Sequence, residues 1–222
     1  MFLVVIATEN EIQPLGEFIA EAERLDVLVT GMGPVATAAS LGSYLALHGS
    51  RINGVINIGV AGAYVDSGLA LLDICFAKQE VLGDFGICMQ DGIQDFDPGL
   101  SKIGMPLLFD NDLALQTKSI LNGHSIAFKS VNFVTVNCCT GTAVRGEYFR
   151  KKYAAGCENM EGGAVAMVCK NFKIPCVELR CVSNMVEDRN TLKWKLAEAA
   201  EKMCRVAELV LQQLMQDASP HY

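Results

Sequence analysis

Side chains able to do chemistry gather at the ends of apolar runs in this sequence. Glu9 and Glu11 follow the run Phe2 to Ala7, and Val60-Ala61-Gly62 closes the run that begins at Gly54. Asn159-Met160-Glu161 stands before a helical stretch, and Ser183-Asn184 ends the run from Cys176. Open α/β sheets bind ligands at the carboxyl ends of their strands, so acids and amides placed there point to a small-molecule site with proton-transfer capacity. Each cluster also has a plain structural use. A carboxylate in a first helical turn favours the helix dipole, and Asn after a strand is a common turn residue. Their shared position makes the functional reading the stronger one.

Several familiar chemistries are missing. The chain has no Gly-x-Ser-x-Gly elbow and no Gly-x-x-x-x-Gly-Lys-Ser/Thr phosphate loop. Gly31-Met32-Gly33-Pro34-Val35-Ala36 fits the dinucleotide fingerprint with Ala as its last member. It follows the second strand, however, and the next strand ends in Gly59-Val60-Ala61 with no acid for a ribose diol. The better reading is a tight strand-to-helix turn where backbone approaches something closely. No Cys-x-x-Cys pair exists and His48, His124 and His221 are scattered, so no metal is expected.

The elements that must position these residues alternate. Strands are expected at Phe2 to Ala7, Asp26 to Thr30, Gly54 to Val60, Val131 to Asn137 and Cys176 to Ser183. Helices are expected up to about Glu23, from Pro34 to His48, from about Thr142, from Asn159-Met160-Glu161 and from about Leu192. The last helix places Leu196, Ala200, Met203, Ala207, Val210 and Leu214 on one face. Gly83 to Gly86 and Asp91 to Pro106 read as long, partly mobile loops, and Ser219 to Tyr222 as a frayed tail. Alternating strands and helices imply a three-layer α/β/α domain, with helices on both sides of a twisted, mostly parallel sheet. Without repeats or linkers, residues 1–222 read as a single domain.

Composition agrees. The 222 residues are 51% hydrophobic and 19% charged, with net charge −7, so one core is expected and a duplex-binding basic stripe is not. No nucleic-acid partner is expected. The start lacks the basic region of a signal peptide, and no apolar run approaches the ~20 residues of a membrane span. Nine cysteines are present. Cys75, Cys138, Cys169, Cys176, Cys181 and Cys204 stand among apolar neighbours, where thiols act as small hydrophobes. A reduced, cytoplasmic protein with no membrane partner is expected.

The clusters also carry a resemblance. Glu158 to Ala166, then Ile174-Pro175, then Glu178 to Asn184 is similar to the signature of the nucleoside phosphorylase/nucleosidase superfamily. The turn at Gly31 to Ala36 and the strand end Asn57-Ile58-Gly59-Val60-Ala61-Gly62 resemble its other two landmarks, in the same order. Ser183-Asn184, Glu187-Asp188-Arg189 and Trp194, helped by Gly83-Asp84-Phe85-Gly86, most resemble the futalosine hydrolase family within it.

This resemblance implies a phosphorylase/hydrolase-like fold, a purine nucleoside substrate, no cofactor and a homodimer. It further implies release of hypoxanthine from futalosine, in the futalosine route of menaquinone biosynthesis. Glu11 matches the water-activating carboxylate, Glu161 the ribose-binding residue, and Met160 a soft surface under the ribose. Asn184 matches the purine reader, where relatives acting on adenine nucleosides carry Asp. Asn159, Ala61, Gly62, Ser183 and the Asn137-Cys138 segment complete the implied substrate contacts. The benzoate on the substrate's 5′ side needs a cation, for which Arg189 is the first candidate and Arg145 the second.

Hydrolysis is preferred to phosphorolysis. The first basic residues are Arg24, Arg51 and Lys78, while Glu9 and Glu11 stand where a phosphate dianion would have to bind. The alternatives are an adenine-releasing nucleosidase, for methylthioadenosine, S-adenosylhomocysteine or aminodeoxyfutalosine, and a non-catalytic nucleoside-binding protein. Retention of both Glu11 and Glu161 argues against the latter.

Overall fold

A computed structural model describes residues 1–97 and 104–217. β1 (Phe2–Ile6) is buried at all five positions because both of its faces are covered. Phe2, Val4 and Ile6 face one core together with residues of α1 (Glu9–Ile12), α4 (Asp112–Gly123) and α7 (Leu196–Asp217). Leu3 and Val5 face the other, against α3 (Pro34–His48) and α6 (Gly162–Phe172). The period of two in the strand thus divides the molecule into the three layers expected. The remaining elements are α2 (Gly16–Glu21), β2 (Leu25–Val29), β3 (Gly54–Tyr64), β4 (Ile74–Leu82), β5 (Ile87–Met89), β6 (Gly92–Gln94), β7 (Leu107–Leu108), β8 (Lys129–Thr135), α5 (Ala143–Tyr153), β9 (Ala155–Asn159) and β10 (Cys176–Val186). α5 seals a third apolar cluster with Phe149 against Tyr64, Val81 and Val134.

The sheet is mixed, and it closes on itself. β2, β1 and β3 run parallel, as do β3 with β10, β4 with β8 and β8 with β9. β10 pairs antiparallel with β4, and β3 with β9. The pairings β3–β10–β4–β8–β9–β3 make a ring, with β1 and β2 as its extension. Closure brings the ends of β3, β9 and β10 to one place.

Several sequence expectations need correction. β4 and β9 were not anticipated, and Asn159 ends a strand instead of opening a helix: α6 begins at Gly162 behind Glu161. β3 and β10 run on to Tyr64 and Val186. The last helix starts at Leu196, after a 3₁₀ turn at Thr191–Lys193. On it Ala200, Met203, Ala207, Val210 and Leu214 are buried as expected, while Leu196 is 48% exposed. The expected loop at 91–106 includes part of the β5–β6 hairpin, and its residues 98–103 lie outside the described residues, as does the tail at 219–222. Cys138 is exposed at a turn, unlike the other five thiols assigned to the interior. No helix among the described residues is long and apolar enough to cross a membrane.

Candidate active site

Arg180 is the centre of the site. It projects from β10 and is 1% exposed, and an arginine so deep needs partners for its charge and its fork of donors. Nε donates to Glu178 Oε1 at 2.9 Å. Nη1 reaches Glu161 Oε2 at 3.4 Å, and Nη2 reaches Asn159 Oδ1 at 3.5 Å. Glu178, Glu161 and Glu11 together hold its pKa above the ordinary value, although burial opposes them.

Glu161 stands just before α6. Its Oε1 accepts the Gly33 N–H at 3.1 Å, which explains the glycine turn after β2. Gly33 has φ +91 and open space where a Cβ would lie, so backbone conformation is what requires glycine there. Asn159 is bonded to the protein at both ends of its amide. Its Oδ1 accepts from the N–H groups of Glu161 and Gly162, and its Nδ2 donates to Glu80 Oε1. These bonds fix the Glu161 backbone.

Glu11 approaches from the other side. Thr8 caps the short α1 through the Glu11 N–H, and its hydroxyl donates to Glu11 Oε2 at 2.8 Å. Glu11 Oε1 accepts the Val60 N–H at 3.2 Å. Glu9 is exposed and makes none of these contacts. Glu11 and Arg180 both close on residue 59, which they can do because it is glycine. A Cβ there would lie 2.5 Å from Arg180 Nη1 and 3.0 Å from Glu11 Oε1, and Gly59 has φ +153.

Asn184 is aimed by a bulge. Val182 pairs with Ala61 and Asn184 with Gly62, so Ser183 is the extra residue in β10. The Ser183 hydroxyl is buried and lies 2.9 Å from Asn184 Oδ1, while Asn184 Nδ2 donates to the Met185 carbonyl at 3.3 Å. Gly62 passes close by, since a Cβ there would be 3.1 Å from Asn184 Nδ2. Ala61 is buried alongside, and its carbonyl faces the Ser183 hydroxyl at 3.3 Å.

The segment Asn137-Cys138-Cys139 is exposed and is pinned from beneath. Asp84 accepts the N–H groups of Asn137 and Cys138, and Glu158 accepts that of Thr140 at 2.8 Å. Burial pushes the Glu158 carboxyl up, against its hydrogen bonds. Cys139 Sγ lies 3.1 Å from Met160 Sδ, so the segment and Met160 meet. Arg189 is exposed, with its guanidinium 4.7 Å above the Trp194 ring, and its N–H is tied to the Gly141 carbonyl. Arg145 is engaged elsewhere, 3.6 Å from Asp84 and stacked on Phe149.

The structure thus brings Glu11, Asn159, Glu161, Ala61, Gly62, Ser183 and Asn184 together, with Met160 and the Asn137-Cys138 segment at the edge. Sequence reasoning gave no role to Arg180, Gly59, Thr8, Glu80 or Glu178. A signal existed for two of them. Glu178 and Arg180 are charges two apart in an otherwise apolar strand, so they share one face and must be paired if that face is buried.

Fold and site define a class. The chain belongs to the phosphorylase superfamily, which it matches over residues 9–212. It is 27% identical over 194 residues to futalosine hydrolase of Thermus thermophilus, covering 83% of this chain and 80% of that protein. To 5′-methylthioadenosine/S-adenosylhomocysteine nucleosidase of Shewanella frigidimarina it is 31% identical over 169 residues, covering 72% and 68%. Among solved structures, a futalosine hydrolase mutant of Helicobacter pylori superposes with TM-score 0.84 at 21% identity, covering 96% of this chain and 98% of that one.

Gly59→Ala tests the geometry. The added methyl forces Arg180 or Glu11 aside, and a displacement of about 1 Å costs roughly 10²-fold in kcat. Steady-state kinetics beside a thermal melt separate this from unfolding; unchanged turnover would mean that the placement of Glu11 and Arg180 about Gly59 does not matter to the reaction.

Proposed function

We propose that this protein is an N-ribosyl hydrolase that cleaves futalosine to hypoxanthine and dehypoxanthine futalosine, in the futalosine route of menaquinone biosynthesis. The observation that carries this reading is the Asn184 amide. With the Ser183 hydroxyl held at Oδ1 and one Nδ2–H given to the Met185 carbonyl, the amide has a second Nδ2–H, a donor suited to O6 of a 6-oxopurine. An adenine 6-amino group offers that donor no acceptor.

The remaining parts follow from charge. Cleavage of the N-glycosidic bond develops positive charge on the sugar and negative charge on the purine. Glu11 takes a proton from the attacking water and favours the cationic sugar. Glu161 accepts from the ribose hydroxyls while Gly33 and Arg180 hold it still. Met160 packs under the sugar. Asn184 is not an acid, so its hydrogen bond assists departure by strengthening as the purine gains charge. Water is the nucleophile because Arg180, the cation beside Glu11, is already paired with Glu178 and Glu161, and the carboxylates there would repel a phosphate dianion.

Arg189 receives the benzoate carboxylate, for which its exposure and its support on Trp194 suit it, while Arg145 is spent on Asp84. The homodimer is part of this proposal. Exposed Phe85, Ile87, Met89 and Phe96 cluster about the β5–β6 hairpin, a patch that a second copy would cover.

Glu11→Gln keeps the shape but removes the base, so turnover on futalosine falls roughly 10²–10⁴-fold while binding survives. Near wild-type hydrolysis by this variant would move the base elsewhere.

Asn184→Asp tests the choice of purine, using futalosine and its 6-amino analogue so that the 5′ group is constant. Wild type prefers futalosine by about 5- to 150-fold in kcat/KM, the cost of leaving polar groups unpaired in a closed site. The variant narrows or inverts that ratio, since a carboxylate repels O6 and accepts from a 6-amino group. Preference for the 6-amino analogue in the wild type would instead establish an adenine-releasing nucleosidase.

A further inference from the structure

Two buried carboxyls take no part in the reaction as described. Glu80 on β4 and Glu178 on β10 are both fully buried. Their oxygens converge beside Gly162, where a Cβ would overlap Glu80 Oε1 and both oxygens of Glu178. Each is bonded to a residue of the site. Asn159 Nδ2 donates to Glu80 Oε1, and Arg180 Nε to Glu178 Oε1. Thr135 Oγ1 satisfies Glu80 Oε2 at 2.9 Å. Among the described residues, Glu178 Oε2 is left buried with no hydrogen-bond donor, next to the carboxyl of Glu80.

An oxygen so placed lacks a hydrogen. Two adjoining carboxylates in a dry interior repel strongly, so one of them takes a proton. A proton between Glu178 Oε2 and Glu80 Oε1 supplies the missing donor and removes the repulsion. Burial raises both carboxyls above the usual range; for Glu80 the charge of Glu178 adds to this, and Arg180 pulls both the other way. The other titratable groups that feel the pair are Glu161, the Cys157 thiol and the Tyr64 hydroxyl.

We propose that Glu80 and Glu178 are a positioning pair sharing one proton, and that this proton holds Asn159 and Arg180, and through them Glu161, in place for the ribose. The proposal rests on the reading of Glu161 as the ribose-binding carboxylate. Through Asn159 the pair fixes the backbone of Glu161 and Gly162; through Arg180 it fixes Glu161 Oε2. A second full charge in the pair draws Arg180 away from Glu161.

Two readouts test this. At neutral pH, the infrared spectrum of wild type minus that of Glu178→Gln shows the carbonyl stretch of a protonated carboxylic acid, because the amide replaces the shared proton with its own N–H. If Glu178→Gln does not fold, Glu80→Gln provides the partner spectrum. Kinetically, Glu178→Gln can still donate to Glu80 and accept from Arg180, whereas Glu178→Leu can do neither. KM for futalosine therefore rises about 5- to 150-fold in Glu178→Leu and less than about fivefold in Glu178→Gln. A difference spectrum without the acid band, or equal rises in KM, overturns the proposal. The spectra need no substrate, so a wild type that cleaves no purine nucleoside would defeat the functional reading and leave the pair to be judged on its own.

Discussion

Everything in the site leans on one buried guanidinium. Taking Arg180 out of water costs several kcal/mol, which only well-placed partners offset. Glu178 and Glu161 supply the charge, Asn159 an oxygen, and Glu11 a further negative field from beside Gly59. The same contacts that stabilise Arg180 orient the carboxylates. The stability of the interior and the geometry of the site are therefore one problem with one solution.

That solution depends on backbone as much as on side chains. Gly59 leaves room where Arg180 and Glu11 approach each other, Gly162 leaves room for the two buried carboxyls, and Gly33 bends the chain so that its N–H meets Glu161. The bulge at Ser183 turns Asn184 toward Gly62 and supplies the hydroxyl that sets its amide. Sheet closure brings these pieces together, because β3 pairs with both β9 and β10. An open sheet would leave Asn159 and Asn184 on strands with no common neighbour.

How much of this the sequence shows follows from the range of each interaction. β1 is plain from its apolar run, and the positions of Glu11, Glu161 and Asn184 at element ends are visible because strand ends are local features. β9 was missed since Ala155-Gly156-Cys157-Glu158-Asn159 is short and ends in polar residues whose partners come from distant segments. Ring closure was not legible either, for pairing of β9 with β3 is a contact across almost a hundred residues of chain. Glu178 and Arg180 broke the apolar pattern of their strand, but only the fold shows that both of its faces are covered. The bulge depends on the register with β3, which no local signal specifies.

The proposal that water is the nucleophile turns on the commitment of Arg180 to carboxylates. The most direct measurement is the sugar product of futalosine cleavage, with and without inorganic phosphate. The account predicts the same rate in both conditions and a free reducing sugar as the product. A reaction that requires phosphate and yields a sugar 1-phosphate would contradict it.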